Sequence, residues 1–284
     1  MNLSPKIAYI AGGSTGIGLS IAMKLAQQDY AVCIFARDPS KLHHAQTTIQ
    51  RAGGKCYSYS VDATDAGAVA QTMAYAIQEA GVPDILFNCV GRAIPHRFEN
   101  ISSGMLMDTL QANVGSTWHV TQALLPYMKA NGGGRIINTS SMGGLLGVYG
   151  YTDYAASKFA LIGFSESLRQ ELKPHNITVQ VLCPPDTDTP GLALENRTKP
   201  DETREICNAA GLMTADEVAA YAVRRMHKDN FMIIPGMDSK LTWILKRIWP
   251  QITHMLMDRM VSRVQKQNIS GPAVHEYPRH LARA

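Results

Sequence analysis

From residue 6 to about residue 234 the chain alternates short β-branched or aliphatic runs with longer stretches of helical period. Strands are predicted at 6–11, 30–36, 55–60, 85–89, 135–139, 178–183 and 231–234, and helices at 18–28, 40–52, 66–80, 105–128, 154–173 and 214–227. Strict alternation of this kind predicts an α/β fold, a doubly wound parallel sheet of about seven strands with helices on both faces and right-handed crossovers. Hydrophobic residues at 45% and charged residues at 18% suit a globular chain and exclude a disordered or fibrous one. There is no internal repeat and no low-complexity linker, so one domain over 1–236 with an appended segment, 237–284, is the simplest partition.

Ligands of such sheets bind beyond the carboxyl ends of the strands, so the stretches that follow each strand carry the information. After the first comes AGGSTGIG, with Gly12, Gly16 and Gly18 between a strand and a helix. Glycines there permit a tight turn and a close approach of backbone to a pyrophosphate on the helix N-terminus, the arrangement of a Rossmann-type nucleotide site. The second strand ends in Ala36, Arg37 and Asp38, where such a site reads the ribose. A basic Arg37 suits a 2′-phosphate and favours NADP over NAD, the alternative being a solvated surface charge. Asp38 precedes Pro39 and reads as a helix cap ahead of a first-turn proline.

TSSMGGLLGVYGYTDYAASKFAL, after the fifth strand, holds the chemical signal. Tyr154 and Lys158 are spaced i, i+4, on one face of a helix. A phenol ionises near pH 10, and a nearby ammonium favours its ionised form, so the pair can move protons near neutrality. Ser141, at the strand's end, can donate a hydrogen bond to the same substrate oxygen. Ser140 stands beside it and takes that place if the register is shifted by one. An ordinary amphipathic Tyr/Lys pair is the alternative, weakened by the serine, by NCVG (Asn88 to Gly91) after the fourth strand and by Asn113 in the next helix.

Together these residues resemble the short-chain dehydrogenases and reductases over residues 6 to about 234. AGGSTGIG is similar to that family's TGxxxGxG element, Asn88 and Gly91 to its NNAG element, and Ser141, Tyr154, Lys158 and Asn113 to its catalytic tetrad. The resemblance implies hydride transfer between a nicotinamide and a carbonyl or alcohol carbon, with Tyr154 exchanging the oxygen's proton. Lys158 would lower the Tyr154 pKa and bind the nicotinamide ribose, and Asn113 would hold a water of the proton relay. Gly12, Ser14, Thr15, Gly16, Ile17 and Gly18 would line the phosphates, and Asp62 with Ala63 would lie near the adenine. For Asp62, capping of the helix that starts near Asp65 is the competing reading.

The sixth strand runs into CPPDTDTPG, residues 183–191. The resemblance puts Pro184, Thr187 and Thr189 at the nicotinamide end, with Pro185 where most members keep a glycine. The sequence PPDTDTPG followed by ENRTKPDETR resembles one branch of the family, the 3-ketodihydrosphingosine reductases. That implies NADPH-dependent reduction of a long-chain amino ketone, 3-dehydrosphinganine, with a lid over about 186–212. Asp186 or Asp188 is expected to attract the substrate's ammonium, unless Asp186 bonds amides of its own turn and Thr189 caps a helix beginning at Pro190. Another apolar ketone, such as a 3-oxoacyl thioester or a steroid, and a non-catalytic NADP-binding protein are the remaining classes.

Five cysteines without a CxxC pair read as small buried hydrophobes in a reducing compartment, and no metal site is expected. The net charge of +4 is uneven: residues 235–284 hold eight Lys and Arg against three acids, leaving −1 for the rest. LTWILKRIWPQITHMLMDRMVSRVQKQ combines an apolar stripe with interspersed cations, which suits a helix lying in the interface of an anionic membrane, or else a subunit contact or a flap over the site. No uncharged run there has the roughly 18 to 20 residues of a spanning helix, and MNLSPKIAYIAGG has no apolar run of signal length. A cytoplasmic protein, either free or peripheral on a membrane, homo-oligomeric and without nucleic acid as a partner, is the expectation. Asn196-Arg197-Thr198 fits a glycosylation acceptor, which a user of cytosolic NADPH would not meet as a substrate of that machinery.

Overall fold

A computed structural model describes residues 6–270. Seven parallel strands form one sheet: β1 (Ile7–Ala11), β2 (Ala31–Ala36), β3 (Cys56–Ser60), β4 (Ile85–Asn88), β5 (Gly134–Thr139), β6 (Ile177–Leu182) and, after the short β7 (Thr187–Asp188) and β8 (Met213–Thr214), β9 (Met232–Ile233). Their order is β3-β2-β1-β4-β5-β6-β9, and the winding reverses between β1 and β4. Every pair is parallel, with Tyr9 beside Cys33 and Leu86 in the registers around β1.

The strands are apolar on both sides because both faces are covered. Ala8, Ile10, Val32 and Ile34 pack under α1 (Gly16–Ala26), α2 (Pro39–Arg51) and α9 (Ala215–Arg225). Tyr9, Ala11, Cys33 and Phe35 point the other way, against α3 (Ala66–Ala80), α5 (Ser116–Ala130) and α6 (Thr152–Leu172). Period-two alternation thus feeds two cores, and each large aliphatic side chain buried there contributes about 1.5–3 kcal/mol. Cys33, Cys56 and Cys183 are buried with no disulfide partner.

The helix predicted over 105–128 is divided. α4 (Ser103–Leu110) leads into a π turn at Gln111–Gly115 before α5 begins. The extra residue turns Asn113 inward, where it is fully buried. α1 starts at Gly16, two residues before the predicted position, with Thr15 as its N-cap.

Beyond β6, α7 (Pro190–Glu195) and α8 (Asp201–Ala210) form an excursion closed by the pairing of β7 with β8. After β9 come α10 (Met237–Ile248) and α11 (Pro250–Ser270), and α11 lies along α8 with Arg263 3.8 Å from Glu205. Val264 and Thr253 of α11 are buried, while Leu241, Ile248 and Trp249 are exposed. Residues 271–284, including the basic Arg279 and Arg283, and residues 1–5 lie outside the described residues.

Candidate active site

The turn between β1 and α1 is shaped by contacts that leave no room for side chains. Gly12 has φ +80°, and a Cβ there would stand 2.8 Å from the backbone of Cys89. A Cβ on Gly18 would stand 2.2 Å from the Gly12 carbonyl oxygen, so helix and turn touch backbone to backbone. Gly12 is anchored by donating its N–H to the Phe35 carbonyl at 2.7 Å. Thr15 places no side-chain oxygen on the amides of the first helical turn, which leaves those donors for an anion, while Ser14 is buried and Ile17 packs on the core below. The cradle therefore fits a pyrophosphate.

Arg37 and Asp62 stand 4.0 Å apart at the tips of β2 and β3, both largely exposed. Asp38 accepts from the amides of Ser40 and Lys41 and caps α2, as read from the sequence. Asp62 does not cap α3. Asp65 does that, accepting from the Ala68 amide, while Asp62 accepts from the amide and hydroxyl of Thr64 and so faces Arg37 beside the buried Ala63.

Four elements meet at Lys158. Its ammonium donates to the Thr139 carbonyl at 3.0 Å and lies 5.6 Å from the centre of the Tyr154 ring. A Cβ on Gly91 would come within 3.2 Å of it, which explains a glycine after β4. Asn113 closes this corner: Oδ1 accepts from the Arg92 amide at 2.8 Å, and Nδ2 donates to the Arg92 carbonyl and to Ser157 Oγ. Asn88 turns away. Its amide donates to Thr121 and to Asn138, and Asn138 donates to Ser165, so the Asn88 side chain joins β4, α5, β5 and α6 instead of facing the cleft.

The two serines at the end of β5 point to opposite sides. Ser140 is buried and donates to the Lys158 carbonyl at 2.8 Å, tying strand to helix. Ser141 caps the turn Met142–Gly144 and hydrogen-bonds the Tyr154 phenol. Alternation along an extended backbone decides which one meets Tyr154, and it is Ser141.

Electrostatically the pair differs from expectation. Burial pushes the Tyr154 phenol well above its ordinary pKa, with the Glu195 and Asp186 carboxylates acting in the same direction and the Ser141 hydrogen bond opposing them. Burial also lowers the Lys158 ammonium to about 8. An ammonium that is itself reluctant to stay charged does not outweigh the desolvation of the phenol. The phenol of this cleft is thus a protonated acid at neutral pH.

Around CPPDTDTPG the polar side chains other than Asp188 have partners. Pro184 accepts the Met142 amide at 2.9 Å, and Thr187 donates to the Pro185 carbonyl at 2.8 Å. Thr189 caps α7 through the Leu192 amide with Pro190 in the first turn, and its methyl group stands 3.1 Å from where a Gly16 Cβ would be. Asp186 pairs with Lys199 Nζ at 3.3 Å, not with amides of its own turn, and Asp188 is exposed.

Three residues beside the phenol were not singled out from the sequence: Tyr151, Glu195 and Lys199. Tyr151 donates to Glu195 Oε2 at 2.8 Å, and its ring is 5.4 Å from that of Tyr154. Glu195 and Lys199 lie in ENRTKP, a stretch legible only as a whole. The α7–α8 excursion is further held by Arg97 on the buried Glu202 at 3.0 Å and by Thr203 on the Tyr149 carbonyl.

Residues 6–200 match the family model described as short chain dehydrogenase. The 3-dehydrosphinganine reductase of Danio rerio is 37% identical over 244 residues, which is 84% of this chain and 73% of that protein. The 3-ketodihydrosphingosine reductase of Bos taurus is 35% identical over 235 residues, 81% of this chain and 70% of that one. In fold, the chain is similar to L-sorbose reductase from Gluconobacter frateurii, with a TM-score of 0.74 and 24% identity over 84% of this chain and 98% of the other. With a family model spanning well over half of its length, and with those relatives, the chain belongs to the short-chain dehydrogenase family.

Proposed function

We propose that this chain is an NADPH-dependent reductase that converts the 3-ketone of 3-dehydrosphinganine to the alcohol of sphinganine. The observation that carries the reaction type is the convergence of Ser141, Tyr154 and Lys158 at the carboxyl end of β5. The substrate class is supported by the names of relatives that match over four-fifths of the chain.

When bound, NADPH supplies the hydride that adds to the carbonyl carbon. Gly12, Ser14, Thr15, Gly16, Ile17 and Gly18 hold its phosphates, Arg37 the 2′-phosphate, Asp62 and Ala63 the adenine, and Gly91, Pro184, Thr187 and Thr189 the nicotinamide end. The Asn88 side chain is occupied below, so its part is to shape the turn that presents Gly91. Tyr154 gives its phenolic proton to the ketone oxygen as negative charge builds there, and a raised pKa keeps that proton available at neutral pH. Ser141 donates to the same oxygen and fixes its position. Lys158 faces the phenolate that remains and the nicotinamide ribose. Asn113 holds the wall of this corner, where we place the water that returns the proton.

The lid over 186–212 closes on the substrate, and the exposed apolar stripe of α10 and the start of α11 rests on the cytoplasmic face of an anionic membrane. Met237, Leu241, Ile244 and Ile248 recur at helical spacing on α10, with Lys240 and Arg247 interspersed. Among the described residues no helix is long and apolar enough to cross a membrane. A homo-oligomer using the same face is the competing occupant, and sedimentation with phosphatidylserine vesicles against size in their absence separates the two.

The deciding assay follows absorbance of NADPH and NADH with 3-dehydrosphinganine and with an acetoacetyl thioester. NADPH with the amino ketone is expected to be the preferred pair, Arg37→Ala to reduce the preference for NADPH about tenfold, and Tyr154→Phe to lower turnover by about 1,000-fold. Preference for NADH or for the thioester overturns the corresponding half of the reading.

A further inference from the structure

Beside the Tyr154 phenol lies a set of charges that the proton transfer described above does not use. Glu195, in the last turn of α7, accepts from the Tyr151 hydroxyl at 2.8 Å, and the Tyr151 ring bridges to Tyr154 at 5.4 Å between centroids. Asp186 is paired with Lys199 at 3.3 Å, and Lys199, almost wholly buried, also lies 5.9 Å from the centre of the Tyr151 ring. Two carboxylates therefore share this corner with one ammonium. Lys158 also acts on Glu195, but its ammonium is committed to the Thr139 carbonyl. Within the wall of Asp186, Glu195 and Lys199 the surplus is one negative charge, on the carboxylate whose direct partner is a neutral hydroxyl.

A carboxylate in a partly desolvated wall is costly unless a cation meets it. The substrate of the proposed function carries one: its amine is on the carbon next to the ketone. With the ketone oxygen held by Tyr154 and Ser141, that ammonium is carried to one side of the phenol, where it can meet either this wall or open solvent. We infer that Glu195 receives the protonated 2-amine of the amino ketone, exchanging its hydrogen bond from Tyr151 for a charge-assisted one, and so selects 2-amino ketones over amine-free ones. The inference rests on the proposed function. It moves the expected ammonium site from the 186–188 loop to α7, because Asp186 already has its cation and Asp188 is exposed. Burial raises the Glu195 carboxyl above its ordinary range, with the Tyr151 hydrogen bond and the Lys199 and Lys158 ammoniums opposing that shift.

Glu195→Gln isolates the charge, since the amide oxygen still accepts from Tyr151 and the packing volume is kept. The quantity to read is the ratio of kcat/KM for 3-dehydrosphinganine to that for a ketone of equal length without the amine. The ratio is expected to fall roughly 10- to 100-fold in Glu195→Gln, the worth of a hydrogen bond between charged groups. Most of that loss should lie in KM for the amino ketone. Tyr151→Phe removes the hydrogen bond and leaves the carboxylate, so the ratio should stay near its wild-type value. Melting temperature and NADPH fluorescence titration verify that both variants fold and bind cofactor. An unchanged ratio in Glu195→Gln, or a selective fall in Asp186→Asn or Asp188→Asn in its place, overturns the inference and leaves the proposed function standing. Wild-type enzyme that fails to reduce 3-dehydrosphinganine overturns the function itself.

Discussion

The glycine turn after β1 and the α7–α8 excursion meet where Gly16 faces Thr189, yet they are held by different physics. The turn is backbone against backbone: Gly18 on the Gly12 carbonyl, Gly12 on Cys89. The excursion is side chain against side chain, over long separations: Tyr151 with Glu195, Arg97 with Glu202, Asp186 with Lys199. A backbone contact cannot be rebuilt when an atom is added. A side-chain pair can keep its shape while it changes its charge. The first kind of region should fail all at once, and the second should be tunable one term at a time.

The largest effect that would test this contrast is Gly18→Ala. Its Cβ would lie 2.2 Å from the Gly12 oxygen, so helix and turn must separate, and NADPH affinity is expected to fall about 100-fold or more in a fluorescence titration. Affinity within a few-fold of wild type would show a turn as adaptable as the excursion and remove the contrast.

A smaller effect comes from the charge of Lys158. Its ammonium is lowered to about 8 by burial, so it is charged below that pH and neutral above it, while the raised Tyr154 phenol keeps its proton throughout. For reduction, kcat/KM with respect to NADPH should therefore fall about tenfold per pH unit once pH has risen past about 8, with Lys158 as the titrating group. A profile flat well into the alkaline range would mean that the ammonium is held charged by contacts stronger than its desolvation.

The smallest effect belongs to the contact between the two regions. Thr189→Ala removes the cap of α7 and the methyl group beside Gly16, which should cost about 1 kcal/mol and lower Tm by about 2 °C. A loss of NADPH affinity as large as that of Gly18→Ala would show that the excursion is part of the cradle itself.

Much of the fold was legible because it is written in local periods. Short continuous apolar runs over 6–11 and 30–36, and glycines between a strand and a helix, specify β1, β2 and the turn without knowledge of the rest. Tyr154 and Lys158 were legible for the same reason, since four residues is one helical turn. The π turn at Gln111–Gly115 was not legible, because it accompanies bonds that Asn113 makes to Arg92 and Ser157, and neither is near it in sequence. Nor was the inward turn of Asn88, which depends on Thr121 and Asn138 arriving beside it.

By itself the sequence determined the order of elements, the parallel winding, the glycine turn and the face shared by Tyr154 and Lys158. Only the tertiary structure decided that Ser141 and not Ser140 meets the phenol, that burial raises Tyr154 and lowers Lys158, and that Glu195 is met by the Tyr151 hydroxyl while Asp186 is taken by Lys199. Backbone periods act over a few residues and survive in a bare chain. Hydrogen bonds and desolvation act over a few ångströms, so their partners are chosen only when the folded chain brings distant residues together.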